Sequence, residues 1–110
     1  MPPSPTFLLV RVGSVLERVD FDHLILVKAE RNNALLKTYE RNLQALASIK
    51  SFEKRLPDQN FTRVHRSFLV AIHQIKQVKD NTIELLTGEF IPIGSRYKKK
   101  FMEAIRHRIL

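Results

Sequence analysis

The chain has no cysteine, no tryptophan and only three glycines in 110 residues, and its acidic side chains are far outnumbered by basic ones. Without cysteine there is no disulfide frame, no thiolate metal site and no thiol nucleophile, which fits a reducing interior. Glycine is too scarce for a phosphate-cradling loop, and neither GxGxxG nor a P-loop pattern occurs. His23, His65, His73 and His107 form no close ligand pair on one helix, so neither a metal nor another cofactor is expected. No apolar run nears the roughly 18 residues of a membrane span. The opening MPPSPTFLLV also lacks the basic start and long apolar stretch of a signal peptide. These absences predict a soluble, cytoplasmic protein.

What is present is hydrophobic bulk and positive charge. Hydrophobic residues make up 44% of the chain and include seven Phe, enough to fill one core, so a single folded domain is expected over residues 7–110. Residues 1–6, beginning MPPSP, read as a leader or linker remnant with little to pack against. Lys and Arg number 19 against 11 Asp and Glu, a net charge of +8, which points toward polyanions: nucleic acid first, an anionic membrane second.

Most of the chain alternates with the period of a strand. FLLVRV (7–12) and VLERV (15–19) flank Gly13-Ser14, which reads as a two-residue hairpin turn. HLILVKA (23–29) is apolar on both faces and belongs at the centre of a sheet or between layers, with ALLKTYE (34–40) beside it after ERNN. The period then changes. Leu46, Ile49, Phe52, Glu53 and Leu56 form a stripe at helical spacing, with Ser48 as N-cap and Pro57 past the end, predicting a short helix over about 48–56. Strands resume as FTRV, SFLV, IKQVK, TIELL and EFIPI, with turn signals at Asp80-Asn81 and Thr87-Gly88. Tyr97, Phe101, Ile105 and Ile109 recur every four residues and predict a C-terminal amphipathic helix over 97–109. Its basic polar face is consistent with lying along phosphates, or simply with solvation.

Within FTRVHRSFLV (61–70), strict alternation would put Arg66 in one row with Val64, Phe68 and Val70. An unpaired guanidinium in a core row is too costly, so either Arg66 has a buried anionic partner or the chain bends at 65–67 and throws it outward. A bend suggests a ligand with phosphates, carboxylates or guanine edges. His65 and Ser67 do not make a catalytic site: no third residue is placed and no nucleophile elbow surrounds the serine. No enzyme is expected. His65 reads as a partly buried imidazole that hydrogen-bonds a backbone carbonyl and shapes the bend.

The order HLILVKAERNNALLKT, EKRLPDQN, FTRVHRSFLVAIHQIKQV and TIELLTGEFIPIGSRYKKKFMEAI resembles the LytTR family of bacterial DNA-binding domains, in a variant like those of Bacteroidetes response regulators. The most diagnostic pieces are FTRVHRSFLV and, at a fixed interval, IPIGSRYKKKF. The chain departs from many members at Ala71, where they carry Asn, and at Gly94, where they carry Ser. The resemblance implies a mainly β fold of small antiparallel sheets with short helices, binding duplex DNA by loops in successive major grooves. It implies base contacts at Asn32, Asn33, Arg66 and Arg96. Arginine suits guanine O6 and N7, and asparagine suits adenine N6 and N7. Arg63, Ser67, Lys98, Lys99 and Lys100 are the phosphate candidates. The family also implies an upstream receiver domain and binding of paired repeats as a homodimer, making the chain the transcription-regulating output of a two-component response regulator. The alternatives are a basic β domain that binds RNA, and a protein-interaction module using an open strand edge.

The charge excess gives a direct expectation. In a salt titration with duplex DNA, log K should fall with log salt by about 0.9 for each phosphate neutralised. An affinity indifferent to salt would redirect the search to a protein partner.

Overall fold

Period-two segments become strands and the helical stripes become helices in a computed structural model that describes residues 5–110. The first part of the leader, residues 1–4, lies outside the described residues; Thr6 is tied to the domain by its carbonyl, which accepts the Phe21 N–H at 3.0 Å. Strands β1 (Phe7–Val12) and β2 (Val15–Asp20) form an antiparallel hairpin. It reverses at Gly13, whose φ of 59° side-chain-bearing residues rarely adopt. After a 3-10 turn over Phe21–His23 the chain enters β3 (Leu24–Glu30), the middle strand of a five-stranded antiparallel sheet. Its neighbours β4 (Asn33–Thr38), β5 (Asn42–Ala45), β6 (Phe61–His65) and β7 (Phe68–Ala71) complete the order β5-β4-β3-β7-β6.

Each face of this sheet is covered, which is why β3 is apolar on both sides. On one face the β1–β2 hairpin and helix α1 (Ile49–Arg55) enclose Val10, Val19, Leu24, Val27, Ile49 and Phe52. On the other, a three-stranded sheet and helix α2 (Lys98–Ile105) enclose Ile25, Leu26, Val64, Val70 and Phe101. That smaller sheet consists of β8 (Ile75–Lys79), β9 (Thr82–Leu85) and β10 (Phe90–Pro92). A register shift between Leu24 and Leu26 lets the consecutive side chains of Ile25 and Leu26 both serve the second core. The mainly β architecture expected from the sequence is thus the one found.

The differences lie where tertiary contacts decide. β5 has no strand-forming run; NLQA pairs with β4 because Leu43 and Ala45 bury their side chains in the first core. Helix α1 is capped as expected, the Ser48 Oγ accepting the Ser51 N–H at 3.2 Å, and it buries Ile49 and Phe52. Leu46, however, precedes the helix and is half exposed. The C-terminal helix stops at Ile105 and continues as a 3-10 turn over Arg106–Arg108. Phe101 is fully buried, but Ile109, assigned to the same stripe, is 56% exposed because the helical stripe ends before reaching it. No helix among the described residues is long and apolar enough to cross a membrane.

Phe101 pins α2 to the sheet. Phe101→Ala should cost about 3–5 kcal/mol in urea denaturation, whereas Ser48→Ala, removing one cap, should cost about 1 kcal/mol. Similar losses for the two would mean that α2 is not anchored through Phe101.

Candidate nucleic-acid interface

Pairing of β3 with β7 brings separate turns to one end of the large sheet. Lys28 faces Phe68 across the ladder, and the Ala29 N–H donates to the Ser67 carbonyl at 2.9 Å. The β3–β4 turn, Arg31-Asn32, therefore lies on the same side as the β6–β7 turn, Arg66-Ser67. Asn32 is exposed at the tip, while Asn33 opens β4 opposite Glu30 and is half-buried. Adjacent strands lie about 4.8 Å apart, so Asn33 and Arg66 are separated by roughly 10–15 Å across the sheet end.

A third segment joins from the far side. The Gly94 N–H donates to the Val64 carbonyl at 2.8 Å, laying the loop from β10 to α2 along β6. An added Cβ at Gly94 would stand 3.2 Å from Tyr97 Cδ2 and 3.5 Å from His65 Cδ2, so the hydrogen at this position permits the close approach. The Tyr97 N–H returns to the Gly94 carbonyl at 2.9 Å, and α2 starts from there. As a result Arg66 and Arg96, thirty residues apart in sequence, are both exposed and line one open depression with His65, Ser95 and Tyr97. Lys98 and Lys99 are exposed in the first turn of α2 and make no ion pair among the described residues. Lys100, 61% exposed at its side chain, reaches Glu53 Oε2 at 3.1 Å. Among the described residues no group of three His, Asp or Glu converges to hold a metal ion.

The bend in FTRVHRSFLV is a two-residue hairpin turn, with Arg66 exposed at its tip. His65 shapes it differently from expectation: its Nδ1 accepts the Ser67 N–H at 3.0 Å, where a bond to a carbonyl was foreseen. The imidazole ring also packs against Phe68, with centroids 5.6 Å apart. Arg63, expected on phosphates, is turned inward instead. Its side chain is 11% exposed, with Nε donating to the His65 carbonyl and Nη1 to Glu53 Oε1, both at 2.8 Å, and Nη2 donating to the Arg66 carbonyl.

Two further cations share this end and went unread. Arg31 sits exposed beside Asn32 at φ 56°, a left-handed conformation that bulky residues adopt only when the turn demands it. Lys79 precedes the β8–β9 turn, where the Asn81 carbonyl accepts the Ile93 N–H at 2.9 Å and draws that hairpin toward Gly94. The sequence signal for Arg31 was its place in ERNN between strands; nothing local marked Lys79.

The family model of the LytTr DNA-binding domain matches residues 14–106. The sensory transduction protein LytT of Bacillus subtilis strain 168 is 30% identical over 103 residues, covering 89% of this chain and 43% of that protein. The protein of the same name from Enterococcus faecalis is 24% identical over 89 residues, 76% of this chain and 37% of its own length. The chain thus spans less than half of these relatives. A solved structure, the LytTr DNA-binding domain of a response regulator from Bacillus cereus, superposes with a TM-score of 0.79 at 23% identity, over 92% of this chain and 97% of that one, and shares the fold.

The His65 bond yields a test of the turn. Asparagine carries an acceptor oxygen at the position of Nδ1, while alanine leaves the Ser67 N–H without that partner. His65→Ala should accelerate amide hydrogen exchange at Ser67, and His65→Asn should largely preserve its protection. Equal exchange in both variants would show that the imidazole does not hold the turn.

Proposed function

The chain belongs to the LytTr DNA-binding domain family, and from that premise we propose that it reads duplex DNA with side chains on the three clustered turns, serving as the transcription-regulating output domain of a two-component response regulator. The observation that carries this reading is the shared depression of Arg66 and Arg96. Both guanidinium groups are exposed on short segments anchored by backbone bonds, a geometry suited to bidentate contact with guanine edges. Asn32 and Asn33, on the neighbouring hairpin, suit adenine.

Lys98, Lys99 and Lys100 fill the first turn of α2, which contains no acidic residue. Cations there oppose the helix dipole, which favours negative charge at that end. A phosphate seated among them would satisfy both the lysines and the helix N–H groups, so these lysines are assigned to the DNA backbone, with Ser67 as a further contact. Duplex is favoured over single-stranded RNA by the position of the aromatics. The exposed rings Tyr39 and Phe90 stand at the opposite ends of β4 and β10 from the clustered turns, and Tyr97 in the depression is half-buried, so no row of exposed rings offers successive bases a stacking platform there. The longer relatives are consistent with an upstream receiver domain, and paired DNA repeats bound by a homodimer are part of the same proposal.

Selection of a preferred duplex from a random pool, followed by binding to its single-base variants at fixed salt, tests the assignment. Arg66→Ala and Arg96→Ala should each cost about 1–3 kcal/mol on the preferred site and relax preference at one position. Lys98→Ala should weaken every duplex alike and flatten the salt slope by up to about one. An equal loss on all duplexes for an arginine variant would move that arginine to the phosphate set.

A further inference from the structure

Arg63 lies beside the DNA-facing turn yet spends its donors inside the protein. Nε and Nη2 take the consecutive carbonyls of His65 and Arg66, and Nη1 takes Glu53. Glu53 sits on α1 one residue after buried Phe52, and its second oxygen accepts Lys100 from α2. One carboxylate therefore links α1, the β6–β7 hairpin and α2. The hairpin needs such support: its register shifts between Arg63 and His65, where the ladder is locally interrupted. The carbonyls on which Arg63 closes belong to the residue that precedes the turn and to its exposed tip.

We infer that Arg63, oriented by Glu53, is a positioning residue that sets the β6–β7 turn and thereby the base preference of Arg66, without touching DNA itself. The inference rests on the assignment of Arg66 to a base edge. Bidentate contact tolerates displacement of about 0.5 Å and 10–20°, so a turn free to rock would keep the charge near DNA and lose discrimination. A guanidinium suits the task because its donors are fixed in one plane and can meet two carbonyls and a carboxylate together. A lysine ammonium keeps the charge but not the fork. With its side chain 11% exposed and Glu53 at 28%, the pair is also shielded from the screening that weakens surface ion pairs. A phosphate contact would require Arg63 to abandon these bonds.

Arg63→Lys, Arg66→Ala and the double variant should be compared on the preferred duplex, on a version changed at the base pair read by Arg66, and on a scrambled duplex, with thermal stability followed in parallel. Arg63→Lys should lower preferred-site affinity about tenfold, within the range of one bidentate base contact, while scrambled-duplex affinity stays unchanged. The double variant should discriminate no worse than Arg66→Ala alone, because both changes remove the same reading. Full discrimination retained by Arg63→Lys, a loss equal on all duplexes, or additive losses in the double variant would each overturn the positioning role while leaving Arg66 as a base reader. An Arg66→Ala protein that still discriminates would overturn the base-reading assignment and the clamp with it. Should Arg63→Lys fail to fold, Glu53→Gln takes its place, read as the ratio of preferred-site to scrambled-duplex affinity because freeing Lys100 strengthens binding to every duplex alike; an unchanged ratio would overturn the positioning role.

Discussion

The antiparallel ladder between β3 and β7 joins residues forty or more positions apart, and both the cores and the clustered turns depend on it. Val27 faces Leu69 within the first core, and Leu26 faces Val70 within the second. A slip of one residue would exchange the two faces and leave each core lined by side chains chosen for the other. The same register fixes which turns lie side by side. The end that carries the clustered turns is therefore not an appendage to the fold; its spacing follows from the pairing that closes the hydrophobic layers.

Charge is distributed along the same axis. At the end away from the clustered turns, Arg18 pairs with Asp20 and Arg41 with Glu17, and His23 Nδ1 lies 2.7 Å from Glu40 Oε1. The Arg18 guanidinium hydrogen-bonded to Asp20 holds that carboxyl below its ordinary value. At the other end Arg31, Arg66, Arg96, Lys98 and Lys99 stand exposed and form no ion pair among the described residues. Part of the net charge of +8 is therefore gathered without partners at the clustered turns, while Arg11, Lys50, Lys54 and Arg55 stand exposed elsewhere.

Local periodicity was enough to locate the β1–β2 hairpin, the doubly buried β3, the capped α1 and the strands after Pro57, because each carries its own apolar period and turn chemistry. β5 was not legible, since Asn, Gln and Ala favour no strand and only the neighbouring β4 makes one of them. Ile109 continued a helical stripe by spacing, but spacing does not say where the opposing layer stops. At the candidate interface, the cost of burying a lone guanidinium left two readings of Arg66, a buried anionic partner or an outward turn, and the structure has the outward turn. The inward turn of Arg63 was not legible, because its carboxylate partner is ten residues away on a different element. The resemblance supplied the grouping of the loops at Asn32, Arg66 and Arg96, which no single-sequence pattern contains.

The exposed tips also bear on how such a domain diversifies. Arg31, Asn32, Arg66 and Arg96 belong to neither hydrophobic core, so their replacement leaves the packed layers as they are. Surface changes at Asn32, Arg66 and Arg96 should alter stability by less than about 0.5 kcal/mol, whereas Arg31, at φ 56°, is further constrained by its backbone. If these tips read DNA as proposed, a lineage can drift toward new operators by exchanging them, without first accumulating compensating mutations in the interior.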